Sequence, residues 1–349
     1  MYDIYEDRIR EAKTLLPEFT SPYQDYRTYP SSVTPGIRLG LNVIKPLRPG
    51  YMLVQLHGWH MSMPKPQRRE EPVTDNDYVL VQVDMRGRAF SQGDADCNGL
   101  ELMDIYDAVQ FVRGAYREWL LDPAVVYLEG GSGGGGNVLA AVNKFPDLFA
   151  AASALYGISD YAVWYANDEL GEFRDDMDVW IGCTPEQDPE RYMARSGLHL
   201  AENQRTPLYI AHGDRDDRVP VVQSRLYVEQ MNRLGRADLV LYDDMEGVGG
   251  FGHADNITEE QRTRLETNKR VNKERHRVPI EIERRGSFVV GGYLVTKPFR
   301  VWLGDVDRLA RITYDLDSAH FHVQSGAPYP YEIVLADGTR LHGTAEVTG

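Results

Sequence analysis

The chain has 349 residues, 42% of them hydrophobic, and carries a formal net charge of -15 at pH 7. This length allows one large hydrophobic core and a second, smaller domain. The acidic balance argues against nucleic acid and against an anionic membrane surface as partners. Cys97 and Cys183 stand in no metal or redox spacing, so we expect two reduced thiols, with a single disulfide as the alternative.

The first residues contain neither a basic segment nor an apolar segment of the kind found in a secretory signal. No run of 18 apolar residues occurs anywhere in the sequence, so no membrane-spanning helix is predicted. We therefore expect a soluble, cytoplasmic protein. Residues 1 to 20 are typical of a short polar helix.

Strands and one helix are predicted next. Four strands are expected, at residues 23–29, 37–44, 51–56 and 78–83. The last two are almost continuous apolar runs, as in strands buried on both faces of a parallel sheet. Residues 102–120 place apolar side chains at helical spacing and predict an amphipathic crossover helix, which together with the strands indicates an α/β architecture.

A glycine-rich turn follows the apolar run at residues 125–128 and precedes a helix that begins near Asn137. The turn reads Gly130-Gly131-Ser132-Gly133-Gly134, and the pattern G-x-S-x-G between a strand and a helix is a nucleophile elbow. It predicts a strained, exposed Ser132 and a Gly133 N–H aimed at an oxyanion. A flexible loop or a phosphate cradle is the alternative, but no G-K-[ST] follows, as a phosphate-binding loop would require.

The rest of the first domain continues the alternation of strands and helices. Strands are expected at residues 148–155, 208–211 and 238–242, and helices at 221–234 and 257–275. Residues 156–206 are rich in Trp, Tyr, Asp and Glu without strand alternation. They predict a helical insertion over the sheet edge where open α/β folds bind ligands.

Beyond residue 275 the pattern changes to short strands separated by turns, which predicts two domains, residues 1–275 and 276–349. The second is an all-β module of ~70 residues, too small for a large core, so we expect it to pack against the first domain or to mediate homo-oligomer formation. Trp302, Tyr293 and Phe321 are candidate sugar platforms, although packing within the protein is the favoured interpretation.

A serine nucleophile needs a histidine base and a carboxylate that orients it. Two loops at strand ends supply them. The loop after residues 208–211 carries Asp214, Asp216 and Asp217, and a glycine-rich loop after residues 238–242 ends in His253. The chain order of serine, aspartate and histidine is that of the α/β-hydrolase fold.

From about residue 40 to 270 the chain resembles the catalytic domain of the prolyl oligopeptidase (S9) group and its esterase relatives. The resemblance rests on three motifs: Gly130-Gly131-Ser132; Gly182-Cys183-Thr184-Pro185-Glu186 with Pro189, Tyr192 and Ser196; and His212-Gly213-x-x-Asp216-x-x-Val219-Pro220 with Gln223-Ser224. It implies an α/β-hydrolase fold, with a mostly parallel twisted sheet between helices, and a catalytic triad of Ser132, Asp216 and His253. Asp214 and Asp217 then have solvated or loop-capping roles.

The sequence departs from the oligopeptidase pattern at two positions. Trp59 stands where a tyrosine donates its hydroxyl to the oxyanion, and Gly133 stands where a tyrosine usually follows the serine. The resemblance to acetyl-esterase and acylaminoacyl-peptidase relatives implies that the backbone N–H of Trp59 is the second oxyanion donor. Only about forty residues precede the sheet, which leaves no room in this sequence for the oligopeptidase propeller. Both points favour an esterase.

Several other side chains are candidates for the substrate pocket: His60, Phe90, Tyr156, Trp164, Tyr165 and Trp180. Core packing is the alternative for the aromatic residues. His57 is expected to hold the oxyanion loop, and Arg86 to form a buried ion pair rather than bind an acidic substrate. His320 and His322 share a strand face without a third ligand, so no metal site is predicted.

The sequence thus predicts a serine hydrolase that works without metal or cofactor through an acyl-enzyme. The favoured substrates are small carboxylic esters, such as acetylated sugars. An S9-like exopeptidase or oligopeptidase is the alternative enzyme, acting on short peptides. A non-catalytic binding protein that retains the α/β-hydrolase fold is the alternative of another class.

Overall fold

The computed structural model describes residues 15–74, 76–168 and 171–348. Most of the helix predicted over residues 1 to 20 therefore lies outside the described residues. Residues 15–20 form no helix, and Phe19 makes an isolated antiparallel bridge with Tyr26. None of the helices in the described ranges combines the length and the apolar character needed to cross a bilayer.

The first domain is built on an eight-stranded sheet. Its strands are β1 (Gln24–Pro30), β2 (Arg38–Ile44), β3 (Tyr51–Leu56), β4 (Tyr78–Val83), β5 (Val126–Gly131), β6 (Ala151–Leu155), β7 (Leu208–Gly213) and β8 (Val240–Met245). They lie in the order β1-β2-β4-β3-β5-β6-β7-β8. β1 pairs antiparallel with β2, and β2 pairs antiparallel with β4. The remaining neighbours, from β4 across β3, β5, β6 and β7 to β8, are parallel. The predicted α/β-hydrolase fold is confirmed.

Eight helices accompany the sheet in the described residues: α1 (Glu101–Ala115), α2 (Gly133–Lys144), α3 (Tyr161–Asn167), α4 (Arg174–Trp180), α5 (Pro189–Arg195), α6 (Gly197–Leu200), α7 (Val222–Arg233) and α8 (Glu259–Arg275). α3 to α6 form the predicted helical insertion between β6 and β7. α8 begins at a capping box in which Thr258 and Gln261 satisfy each other's backbone N–H groups. α1 is shorter than predicted, because a 3₁₀ turn at Arg117–Trp119 replaces its expected last turn.

The second domain is a separate eight-stranded sheet with its own hydrophobic core, which includes Phe288, Ile312 and Ile333. Its strands are β9 (Arg285–Gly291), β10 (Tyr293–Val295), β11 (Phe299–Trp302), β12 (Leu309–Asp315), β13 (His320–Ser325), β14 (Pro330–Leu335), β15 (Arg340–Thr344) and β16 (Glu346–Val347). They lie in the order β15-β14-β11-β10-β9-β12-β13-β16, antiparallel except for β13 with β16.

The β domain packs against α2 and the insertion. Lys144, at the end of α2, donates to the Gly291 carbonyl at 2.6 Å and lies over the ring of Tyr293. The Tyr293 hydroxyl donates to the Gly99 carbonyl at 2.8 Å, and its ring stacks on Trp302. Tyr293 is therefore buried in the domain interface, and the sugar-platform interpretation fails for it.

We expect the buried Lys144 to make stability depend on pH. Burial, aided by Arg195, lowers the pKa of Lys144 from 10.5 to about 7. Between these two values the unfolded chain binds a proton that the folded chain excludes, so this group's contribution to stability rises with pH from 7 to 10.5. In urea melts, Lys144→Met is expected to be more stable than the wild type at pH 7, with the difference shrinking by up to about 1.4 kcal/mol per pH unit above it. A difference that does not change between pH 7 and 9.5 would contradict this.

Candidate active site

The sharp bend between β5 and α2 carries Ser132. Its backbone has φ 56° and ψ -125°, a strained conformation for a residue with a side chain. Gly130 permits the bend, because a Cβ atom there would lie 2.3 Å from the Gly134 carbonyl oxygen. The Ser132 N–H donates to the Leu155 carbonyl at 3.0 Å, which fixes the bend against β6. The strand, the strained serine and the helix have the arrangement that the sequence motif predicts.

Two backbone N–H groups meet beside Ser132. Gly133 is the first residue of α2, so its N–H has no acceptor within the helix. A Cβ atom on Gly133 would lie only 2.5 Å from the Trp59 backbone nitrogen, so the loop after β3 approaches the helix N-terminus closely. The helix dipole adds positive potential at this point. Gly133 and Trp59 are thus adjacent, as an oxyanion hole requires.

His57 holds the loop that carries Trp59. Its Nδ1 donates to the Gly58 carbonyl at 2.9 Å, and its Nε2 accepts from the Met85 N–H at 3.3 Å. Complete burial, with the nearby Arg88 charge, lowers the pKa of His57 to about 3, so the ring is neutral. His57 is a loop support, as the sequence analysis expected.

Asp216 and His253 form a hydrogen-bonded pair across the loops after β7 and β8. His253 Nδ1 lies 2.8 Å from Asp216 Oδ2. The other carboxylate oxygen accepts from the backbone N–H groups of Arg218 and Val219, at 3.0 and 2.9 Å. Burial raises the pKa of Asp216, but the nearby His212 ring, the hydrogen bond from His253, the His253 charge and the Val219 N–H outweigh it and lower the pKa to about 2. The carboxylate is therefore ionised and held in position to orient the imidazole.

Tyr156 connects this pair to the elbow. Its ring stacks on the imidazole of His253 with centroids 4.8 Å apart and planes 3° apart. The same ring packs on Gly131, where a Cβ atom would lie 2.7 Å from Tyr156 Cε2. The Tyr156 ring therefore contacts both His253 and the residue that precedes Ser132. Ser132, Asp216 and His253 remain our predicted triad.

Two acidic residues of the insertion, neither of them predicted from the sequence, bind the loop that carries Trp59 and the loop that carries Asp216. Asp176, on α4, accepts from Trp59 Nε1 at 2.9 Å and also bonds the His60 Nε2 atom. Glu172 pairs with Arg218, two residues after the predicted catalytic acid. The Asp and Glu content of the insertion was visible in the sequence, but contacts over more than 40 residues of separation leave no local signal.

The structure places the other predicted pocket residues in different settings. Phe90 is fully buried beside Tyr26 and Met63, so it forms core rather than pocket wall. Trp164 is also buried, at 1% exposure, in an aromatic cluster with Trp59. Core packing, the alternative considered for the aromatic residues, accounts for both.

Three predicted pocket residues, Tyr156, Tyr165 and Trp180, keep part of their surface, whereas His60 is buried between the insertion and the loop that carries Trp59. Tyr165 packs on Tyr192, and its hydroxyl contacts Asp178. Trp180 packs on Trp59 at 4.7 Å and lies under Arg88. Tyr156 is half-buried beside His253. Arg86 forms the expected buried ion pair, with Asp104. Tyr156 and Trp180 therefore remain the best placed of the predicted pocket residues.

Because Gly133 and Trp59 lie so close together, we expect Gly133→Ala to lower kcat. Gly133→Ala would place a methyl group against the Trp59 nitrogen and push the two N–H donors apart. Because loss of one oxyanion donor typically costs about 10²–10³ in kcat, we expect a fall of that size with a smaller change in KM. Steady-state kinetics would measure it, with Gly114→Ala as control, since a Cβ atom on Gly114 meets nothing within 4 Å. An unchanged kcat in Gly133→Ala would show that the N–H groups of Gly133 and Trp59 do not form the oxyanion hole.

Comparison with known proteins yields one family match. The sequence model of the prolyl oligopeptidase family (Peptidase_S9) matches residues 65–271, more than half of the chain. Among curated proteins, the uncharacterized peptidase YuxL of Bacillus subtilis is 28% identical over 165 residues, covering 46% of this chain and 24% of that protein. Dipeptidyl peptidase family member 6 of Caenorhabditis elegans is 26% identical over 254 residues, covering 66% of this chain and 32% of that protein.

Solved structures share the fold. An acylaminoacyl peptidase from Pyrococcus horikoshii superimposes with a TM-score of 0.60 at 24% identity, over 75% of this chain and 43% of that one. A puromycin-hydrolyzing peptidase from Mycobacterium tuberculosis gives a TM-score of 0.57 at 21% identity, over 73% of this chain and 39% of that one. The chain therefore spans less than half the length of these structures, and a third or less of the two curated relatives.

Proposed function

Because the chain belongs to the prolyl oligopeptidase family of α/β-hydrolases, we propose that it is a serine peptidase acting on short peptides. The sequence alone favours an esterase. The relatives favour the peptidase alternative, since the first two curated matches both carry peptidase names. The catalytic part of the proposal is supported by the 2.8 Å contact between His253 and Asp216, together with the strained backbone of Ser132 at the bend between β5 and α2.

The proposed reaction proceeds in two halves through an acyl-enzyme. His253 takes the Ser132 hydroxyl proton as the serine oxygen attacks the peptide carbonyl, and the N–H groups of Gly133 and Trp59 bind the oxyanion. His253 then passes that proton to the departing amine as the C–N bond breaks. A water molecule, deprotonated by His253, attacks the ester carbonyl; the bond from Ser132 Oγ to the acyl carbon breaks, His253 returns the proton to Ser132 Oγ, and the carboxylic acid leaves. Asp216 keeps the imidazole in the tautomer that can accept a proton at Nε2.

Substrate comparison tests the proposal. Purified protein would be assayed with aminoacyl anilides, with N-acetylated aminoacyl anilides and with nitrophenyl acetate, each by kcat/KM. We expect turnover of one or both anilide series, which the peptidase proposal requires. Rapid hydrolysis of the acetate with negligible anilide turnover would instead establish the esterase. Failure of a fluorophosphonate probe to label Ser132 in the folded protein would favour the non-catalytic binding protein.

A further inference from the structure

A row of polar side chains crosses one face of the central sheet just below the predicted active site. In-register pairing of neighbouring strands places six of them side by side: Asn42, Gln82, Gln55, Glu129, Ser153 and Tyr209. The row beneath it is apolar and includes Leu80, Leu53, Tyr127 and Ala151. Strands buried on both faces of a parallel sheet are normally apolar, and a buried polar group without partners costs about 1–3 kcal/mol. The row therefore needs an explanation.

A cavity of about 350 Å³ lies over the middle of this row. Asn42, Ser153 and Tyr209 are buried, whereas the three middle residues are half-buried because they line the cavity. The cavity wall also includes Gly131 and Gly58, which lie on either side of the nucleophile. A Cβ atom on Gly58 would be 3.9 Å from Ser132 Cβ. The cavity therefore adjoins the position of the scissile bond.

The three amides of the row are hydrogen-bonded in one direction. Asn42 Nδ2 donates to Gln82 Oε1 at 3.3 Å, and Gln82 Nε2 donates to Gln55 Oε1 at 3.4 Å. In the part of the chain that the structure describes, Gln55 Nε2 donates no hydrogen bond, whereas Gln55 Oε1 accepts one. The series of amides thus ends in an N–H₂ donor at the cavity, and each bond polarises the next.

The cavity has no uncompensated negative charge. Both oxygens of Glu129 are paired, one with Lys273 and the other with Lys269. Burial raises the pKa of Glu129, but the two lysines outweigh it and lower the pKa below its usual value. Met61 and Met63 supply apolar walls. This combination suits an uncharged side chain with an aliphatic stem and a polar tip that accepts a hydrogen bond.

Building on the proposed peptidase function, we propose that this cavity binds a glutamine-like side chain of the substrate, adjacent to the scissile bond. The carbonyl oxygen of the ligand's carboxamide accepts from Gln55 Nε2, and its stem packs on the methionines. A cationic side chain is disfavoured, because Lys269 and Lys273 lie beside the cavity.

Binding to the full-length Ser132→Ala variant tests this without turnover. Calorimetry would compare N-acetylated peptide amides that carry glutamine, norleucine or lysine on either side of the bond to be cleaved. We expect the glutamine peptide to bind about tenfold more tightly than the norleucine peptide at one of the two positions, since one hydrogen bond is worth roughly that factor. The lysine peptide should bind most weakly.

Variants in the same background identify the site. Gln55→Leu is expected to abolish the preference, leaving glutamine and norleucine peptides within about twofold. Ser153→Ala, from the same row but away from the cavity, should keep the preference. Met61→Trp, which fills the cavity from a loop, gives a second variant if Gln55→Leu does not fold. Two results would overturn the cavity assignment. One is equal affinity of Ser132→Ala for the glutamine and norleucine peptides, and the other is a preference for glutamine that survives Gln55→Leu. The peptidase proposal is judged separately, by turnover in the wild type.

Discussion

Asp216→Asn is expected to lower kcat about 10⁴-fold while leaving the protein folded. The carboxylate accepts from His253 Nδ1 through Oδ2 and from two backbone N–H groups through Oδ1. Asparagine can keep the backbone contacts with its oxygen, but its amide then presents hydrogen atoms to His253 Nδ1. The imidazole proton then moves from Nδ1 to Nε2. Nε2 is the atom that must accept the serine proton, so His253 can no longer act as the base.

Asp214→Asn is the matched control, because it makes the same chemical change in the same loop. Its carboxylate accepts from the Gly247 N–H at 2.7 Å and so caps a turn. We expect kcat of Asp214→Asn to stay within a few-fold of the wild type. Comparable losses in the two variants would mean that loop stability, and not His253 orientation, explains the effect. Steady-state kinetics and thermal melts of all three proteins measure both quantities.

Ser132→Ala should have the other large effect, a fall in kcat of about 10⁴–10⁶-fold, since the triad acts as a unit. Alanine keeps the Cβ atom and has a similar backbone cost at φ 56°, so the melting temperature should change little. Labelling by a fluorophosphonate should disappear. Ser153→Ala, a buried serine on the neighbouring strand, should retain both activity and labelling. Activity that survives Ser132→Ala would place the nucleophile elsewhere.

β3 and β4 were predictable to the residue, whereas the bounds of the other strands of this sheet were not. The apolar runs of β3 and β4 end where the polypeptide turns into polar loops, so composition and structure agree. β8, an edge strand, begins two residues later than predicted and continues through Asp243 and Asp244, because each of these carboxylates pairs with an arginine, Arg264 and Arg225 respectively. Residues 148–150 looked like strand because they are apolar, but they form a buried turn before β6.

Some residues of the candidate site could likewise be predicted from the sequence, and others could not. The elbow has a local sequence motif, so Ser132 and Gly133 could be identified directly, and chain order led to His253. Asp176 and Glu172 had no such signal, because their partners lie in distant loops and become neighbours only when the insertion folds over the sheet. The polar row is likewise a property of strand pairing and cannot be read from any one strand.

The hydrogen bond from Trp59 Nε1 to Asp176 connects the position of α4 with the position of the proposed oxyanion donor. The side chain of Trp59 is fastened to α4, and the backbone N–H of the same residue is the proposed oxyanion donor. An outward movement of α4 would break this bond and remove one support of the loop that carries the proposed donor. We therefore expect bulky substrates to be disfavoured, because admitting them would disorder the proposed oxyanion donor of Trp59.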